Sequence, residues 1–89
     1  MVRRRRFGYC RRLLAGNLLR KLRERYPHMA TDNARIFQLE KDSPLSASTI
    51  KRILKESHSP TVDRLEELAY GLKCEPYELF LDTNEEQQS

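Results

Sequence analysis

The stretch SASTIKRILKES, residues 46 to 57, opens with hydroxyl side chains and then interleaves three cations with apolar residues. Ile50, Ile53 and Leu54 recur at helical spacing, which predicts a short helix with one buried side and with Lys51, Arg52 and Lys55 on the remaining surface. Groups of this kind offer hydrogen bonds and positive charge to an anionic partner; Ser and Lys side chains become nucleophiles only when a base or a depressed pKa activates them. Elsewhere the residue types for catalysis are present without the spacing. The acids after Pro60, at Asp63, Glu66, Glu67, Glu75, Glu78, Asp82, Glu85 and Glu86, fall on predicted exposed helical faces or in the terminal stretch. No nucleophile stands in a motif with a base and an orienting partner, so an enzyme is not expected. Cys10, Cys74, His28 and His58 are scattered singly, without the CxxC or Cys/His spacing of a zinc site. Reduced, structural thiols and no cofactor are the expectation.

The elements that must position the cationic helix can be read along the chain. A length of 89 residues makes one small domain, burying roughly 60% of its unfolded surface, with no room for a large cleft. Aromatic and β-branched residues are too sparse for an extensive sheet, so the fold is expected to be mainly helical. Leu14, Leu18 and Leu22, supported by Leu13, Leu19 and Tyr26, mark a first helix that Pro27 ends. Thr31 or Asp32 can cap a second, with Ile36, Phe37 and Leu39 on its buried side. KDSPL interrupts it, because Pro44 biases Ser43 away from helix. Ser46 caps the third helix, which is expected to run through about Glu56. After the SHSP turn, Thr61 caps a fourth, whose apolar stripe is Val62, Leu65, Leu68, Ala69 and Leu72. Gly71 lies near its end, where φ > 0 is often needed. EPYELFLD reads as a short fifth helix with Pro76 in its first turn, and residues 83–89 as an acidic disordered tail.

Charge is distributed unevenly. Residues 1 to 25 carry ten Arg or Lys against the single acid Glu24, or +9, while the rest of a chain of net +4 carries −5. Such a basic block suits a nucleic-acid arm, an organellar or nuclear address, or a membrane-surface helix. A secretory signal does not fit, because LLAGNLL is broken by Asn17 and runs into Arg20. No apolar run approaches the roughly 20 residues that span a bilayer. The leucine spacing supports a structural first helix, whose removal would strip one wall from the core. The expected location is cytoplasmic, with no membrane partner.

The segment LSASTIKRILKESHSPTVDRLEELAYGLKCEPYELF, above all LEELAYGLKCEPYEL, resembles the phage repressor and Cro-type helix-turn-helix domains. The resemblance covers roughly residues 10–82 and implies an all-α, five-helix lambda-repressor-like fold. It also implies that the helix at about 46–56 enters the major groove of double-stranded DNA. Ala47, Ser48 and Arg52 match base-approaching positions: Ala47 offers a methyl to thymine, Ser48 a permissive hydrogen bond, and Arg52 a fork for guanine O6 and N7. Ser46, Thr49, Lys51, Lys55, Ser57 and His58 are expected to contact the backbone. RRRRF, with Arg3, Arg4, Arg5 and Arg6, resembles an N-terminal arm, residues 1–9, that engages phosphate or a narrow minor groove. One part departs from the pattern. Glu40 stands where a small residue is usual and Pro44 where a turn glycine is common, and an expanded turn, EKDSPL, is the simplest explanation.

The function expected on these grounds is a sequence-specific transcriptional regulator, a repressor in preference to an activator. It is expected to bind as a homodimer on a two-fold operator, because one helix reads only a few base pairs. Tyr77, Phe80 and Leu81 are candidates for the dimer interface, with Phe80 assigned rather to the monomer core. The alternative is a small adaptor or antitoxin-like module that uses the same fold to bind a protein partner.

Overall fold

Leucines one turn apart build the first wall of the core. Leu14, Leu18 and Leu22 lie on a single face of α1 (Tyr9–Arg25) and are almost wholly shielded from solvent, as is Tyr26 just beyond it. In this computed structural model, which describes residues 8–82, three further α-helices follow: α2 (Asp32–Asp42), α3 (Ala47–Leu54) and α4 (Val62–Leu72). A 3-10 helix, Pro76–Phe80, closes the described chain, and no strand occurs among the described residues. The fifth expected helix is thus a 3-10 helix of five residues. Pro76 opens it without a donor, and a capping box between Glu75 and Glu78 satisfies its first amides.

Each of α2, α3 and α4 starts where a side chain can accept an otherwise unpaired amide. Thr31, Ser46 and Thr61 accept from Ala34, Thr49 and Arg64, so the caps expected at Ser46 and Thr61 are formed, and of Thr31 and Asp32 it is Thr31 that caps α2. α1 packs against α2, α3, α4 and the 3-10 helix, and its leucines join Ile36, Leu39, Ile50, Ile53, Leu68, Leu72 and Leu79 in one core. Burying each such side chain contributes roughly 1.5–3 kcal/mol. The same α1 carries Asn17, which is buried as well. Its Nδ2 donates to the carbonyls of Leu79 and Leu81 at 3.0 and 2.9 Å, and its Oδ1 accepts from Arg20 at 2.8 Å. The residue that breaks the apolar run in sequence therefore ties the two ends of the domain together. Tyr9, assigned to the arm from sequence, is the first residue of α1 and donates to Asp82.

Polar side chains also fix the entry to α2. Arg35 donates to the carbonyls of Tyr26 and Met29, at 2.9 and 2.8 Å, across the loop after α1. Asp32 bonds both Arg23 and Arg35, and the Arg23 hydrogen bond in particular holds its carboxyl below the usual range. Tyr26 donates to Asp42 at the far end of α2. Burial, reinforced by that carboxylate, pushes the Tyr26 phenol well above its ordinary value.

Three expected positions differ. Phe37 is 44% exposed and Val62 73% exposed, the first turned outward on α2 and the second at the opening of α4. Gly71 does not end α4 with a positive φ; Lys73 does, at 57°. Gly71 is instead buried inside the helix, where a Cβ would meet Ser43 Cβ at 2.7 Å and Leu39 Cδ1 at 2.8 Å. Close approach of α4 to α2 and its following turn is what requires the glycine. Cys74 packs beside the core and burial raises its thiol pKa, whereas Cys10 is exposed, so only Cys74 has a structural setting. Both thiols are free.

Candidate nucleic-acid interface

α3 rests on α1 and α2, which cover Ala47, Ile50 and Ile53 and leave its opposite side open. Ser48, Arg52 and Lys55, spaced by four and three residues, share that open face, and all three are exposed. Ser46 and Ser57 flank it at the two ends and are also exposed, while Thr49, Lys51 and His58 are half-buried. Among the described residues, no ion pair or hydrogen bond engages the Arg52 guanidinium, which remains available to an external acceptor.

Both ends of the helix are fixed by local bonds. At the start, Ser46 Oγ accepts the Thr49 amide at 3.2 Å and lies 3.0 Å from the Thr49 hydroxyl. Glu40, on α2, places Oε2 at 2.9 Å from the Ala47 amide. At the other end, Glu56 takes φ 62°, and the amide and hydroxyl of Ser57 both donate to the Arg52 carbonyl, at 3.1 and 3.2 Å. The helix therefore stops at Leu54, about two residues short of the expected end, because the left-handed Glu56 turns the chain. Lys51 reaches back toward α2, its ammonium 5.0 Å from the centre of the Phe37 ring.

The connection from α2 to α3 is short. α2 continues through Glu40, Lys41 and Asp42, leaving only residues 43–46 between the helices. Ser43 takes extended φ/ψ before Pro44, its hydroxyl donates to the Leu39 carbonyl at 2.9 Å and accepts from the Leu45 amide at 3.3 Å, and Leu45 is buried. The expanded EKDSPL turn is accordingly corrected to a tight one. Glu40 fits at its position because its carboxylate lies across the start of α3, and Pro44 fits because no φ > 0 is needed there.

Two helices joined by this turn, the second with an open cationic face, sit within residues 28–85, which match the family model of the Cro/C1-type HTH DNA-binding domain. The chain belongs to that family. No curated protein and no solved structure matches it. The match takes in α2, α3, α4 and the 3-10 helix, so the helix-turn-helix of this Cro/C1-type domain is α2, residues 43–46 and α3. α1 precedes the matched segment and supplies the wall on which those elements pack.

Within the Cro/C1-type framework the structure sorts the expected site residues. Ser48, Arg52 and Lys55 come together on one surface, with Ser46 and Ser57 at its margins. Ala47 does not join them: it is 6% exposed and packs into the core, so its methyl is not presented to a thymine. Thr49 has its hydroxyl against Ser46, and Lys51 is drawn to Phe37. Arg3, Arg4, Arg5 and Arg6 lie outside the described residues, as does the acidic tail from residue 83. Glu40 and Phe37 were not singled out as interface residues from sequence. The signal for Glu40 was its very departure from the family pattern; for Phe37, none is visible without knowing where α3 lies.

Other titratable groups lie on the rest of the described surface. No group of His, Cys, Asp or Glu there is arranged to hold a metal ion, and no described helix is long and apolar enough to cross a membrane. A polar groove between the ends of α1, α2 and α4, of about 640 Å³, is lined by Arg25, Asp42, Tyr70, Lys73 and Glu75 among others. Lys21 and Glu78 are paired beside it at 2.8 Å.

Proposed function

We propose that this DNA-binding domain is a sequence-specific transcriptional regulator that acts as a repressor by occupying a two-fold operator. The observation that carries the reading is the single open face of α3, on which Ser48, Arg52 and Lys55 are exposed while its other side is locked into the core. A helix of about 10–12 Å diameter fits the major groove. Arg52 then takes guanine O6 and N7 through its fork, Ser48 donates to or accepts from a neighbouring base edge, and Lys55 with Ser46 holds phosphate oxygens, Ser57 joining them when its hydroxyl turns from the Arg52 carbonyl to the phosphate. Lys51, Thr49 and His58 are assigned to the backbone at the margin of the contact, and Arg3 to Arg6 to the arm.

One α3 of eight residues reads only a few base pairs, and two copies on half-sites about one helical turn apart supply the specificity a single helix lacks. Tyr77, 66% exposed, and half-buried Leu81 are assigned to the homodimer contact, and Phe80, packed against the core, to the monomer.

Selection of bound duplexes from a random pool, at roughly physiological salt where non-specific attraction is screened, tests the reading. The expected product is a two-fold motif in which Arg52→Ala erases one guanine per half-site, a loss of about 1–3 kcal/mol in discrimination. A folded chain that enriches no motif overturns it and favours the alternative, a module binding a protein partner.

A further inference from the structure

The start of α3 carries a charge that the rest of the face does not lead one to expect. The Ala47 amide is among the first amides of the helix, which have no acceptor within the helix itself. Glu40 supplies that acceptor through Oε2 at 2.9 Å, while Ser46 serves the amide of Thr49. Glu40 is exposed, and among the described residues its second oxygen, Oε1, accepts no hydrogen bond. A negatively charged acceptor is thus held at the starting tip of a helix whose own exposed charged group, Arg52, can only donate, as can Lys55 at its C-cap; the other exposed acid, Glu56, lies at the opposite end.

In the major groove, a fixed anionic acceptor discriminates between base edges. Guanine O6 and N7 and thymine O4 are acceptors and repel it; adenine offers its N6 amino group beside the N7 acceptor; cytosine offers its N4 amino group alone. Phosphate oxygens are repelled as well, so the carboxylate does not add general affinity for the duplex. We propose that Glu40 is a specificity-determining residue contributed by α2, its carboxylate at the tip of α3 accepting a hydrogen bond from a cytosine N4 amino group. The assignment rests on α3 being the helix that enters the groove. It adds to that reading a base position read from outside α3.

The test uses the full chain and the random duplex pool, with Glu40→Gln and Arg52→Ala run beside the wild type. Glutamine keeps a carbonyl oxygen for the Ala47 amide, so the cap survives, but it loses the charge and gains a donor suited to adenine N6 and N7. The wild-type motif is expected to hold in each half-site, at a base pair other than the one Arg52 reads, a cytosine preferred about fivefold or more over thymine in direct competition. Glu40→Gln is expected to move that position toward adenine and leave the Arg52-dependent guanine in place. The proposal is overturned if Arg52→Ala degrades the motif while Glu40→Gln returns the same cytosine with the same preference, since Glu40 would then be a cap alone. A wild-type motif with no cytosine preference at a base pair beyond the Arg52-dependent one overturns it without any variant; where Glu40→Gln fails to fold, Glu40→Ala takes its place and is expected to relax that cytosine. A folded wild type that enriches no motif overturns the groove reading and this proposal with it.

Discussion

Two glycines, both inside helices, should respond to alanine with opposite signs. On propensity alone, Gly→Ala in a helix interior stabilises by about 1 kcal/mol. Gly16 meets that case: it is exposed on α1, and a Cβ there has nothing within 4 Å. Gly71 does not, because its Cβ would stand 2.7 Å from Ser43 Cβ and 2.8 Å from Leu39 Cδ1. Ser43 Cβ is bonded directly to the backbone of the turn, and Leu39 is wholly buried, so neither can swing aside. Overpacking of this kind costs typically 1–3 kcal/mol. With two approaches this short the upper half of that range applies, and subtracting the propensity gain leaves a net loss of about 1–2 kcal/mol. For a domain of this size that lowers the melting temperature by roughly 5–15 °C. Urea unfolding followed by circular dichroism measures both variants. Gly71→Ala should lower the midpoint and Gly16→Ala should raise it by the equivalent of about 0.5–1 kcal/mol. A Gly71→Ala chain as stable as the wild type would refute the close approach of α4 to the turn, and with it the tight geometry that places α3.

Asn17→Ala should cost about 2–3 kcal/mol in the same urea assay, because it removes the donor for the Leu79 and Leu81 carbonyls and leaves polar groups without partners inside the core. Stability should fall in acid. Hydrogen bonds from Arg23, Tyr26 and Lys21 hold Asp32, Asp42 and Glu78, respectively, below their ordinary values of 3.8, 3.8 and 4.5. A carboxyl depressed in the folded state stabilises it above the ordinary value and loses that contribution as pH drops through the folded one, so the urea midpoint should decline below about pH 4.5. Asp42→Asn should shrink that decline. Deleting Arg3 to Arg6 should flatten the salt dependence of DNA binding by about 0.9 in log–log slope for each phosphate that an arginine neutralises, measured by fluorescence anisotropy; an unchanged slope would remove the arm from the interface.

Local rules carry far in this chain because its helices announce themselves. The spacing of Leu14, Leu18 and Leu22, the caps at Thr31, Ser46 and Thr61, and the breaks at Pro27 and Pro44 depend on residues within one or two turns of each other, and the helices form where those rules place them. The family pattern from Leu45 to Phe80 was legible for the same reason: it is a short-range order of helices and turns, and the family match includes it. Three of the misjudged positions turn on partners distant in sequence, whereas the tight turn at Ser43, the early end of α3 at Glu56 and the exposed Val62 are local. Phe37 looks like core until Lys51 is found beside its ring, and Gly71 looks like a helix end until Ser43 and Leu39 are found against it. Ala47 looks like a base contact until α3 is laid down with that residue inward.

By itself, then, the sequence determined an all-helical chain, the positions of its caps and breaks, and the cationic helix with Ser48, Arg52 and Lys55 on it. Periodicity and capping chemistry act over a few residues and are written out in order along the chain. The tertiary structure alone decided the depth of the turn, the burial of Ala47, the tie from Asn17 to the 3-10 helix, and the carboxylate of Glu40 at the tip of α3. Each of those depends on how closely two helices approach. That distance is set by the summed packing of the whole core, and no local stretch specifies it.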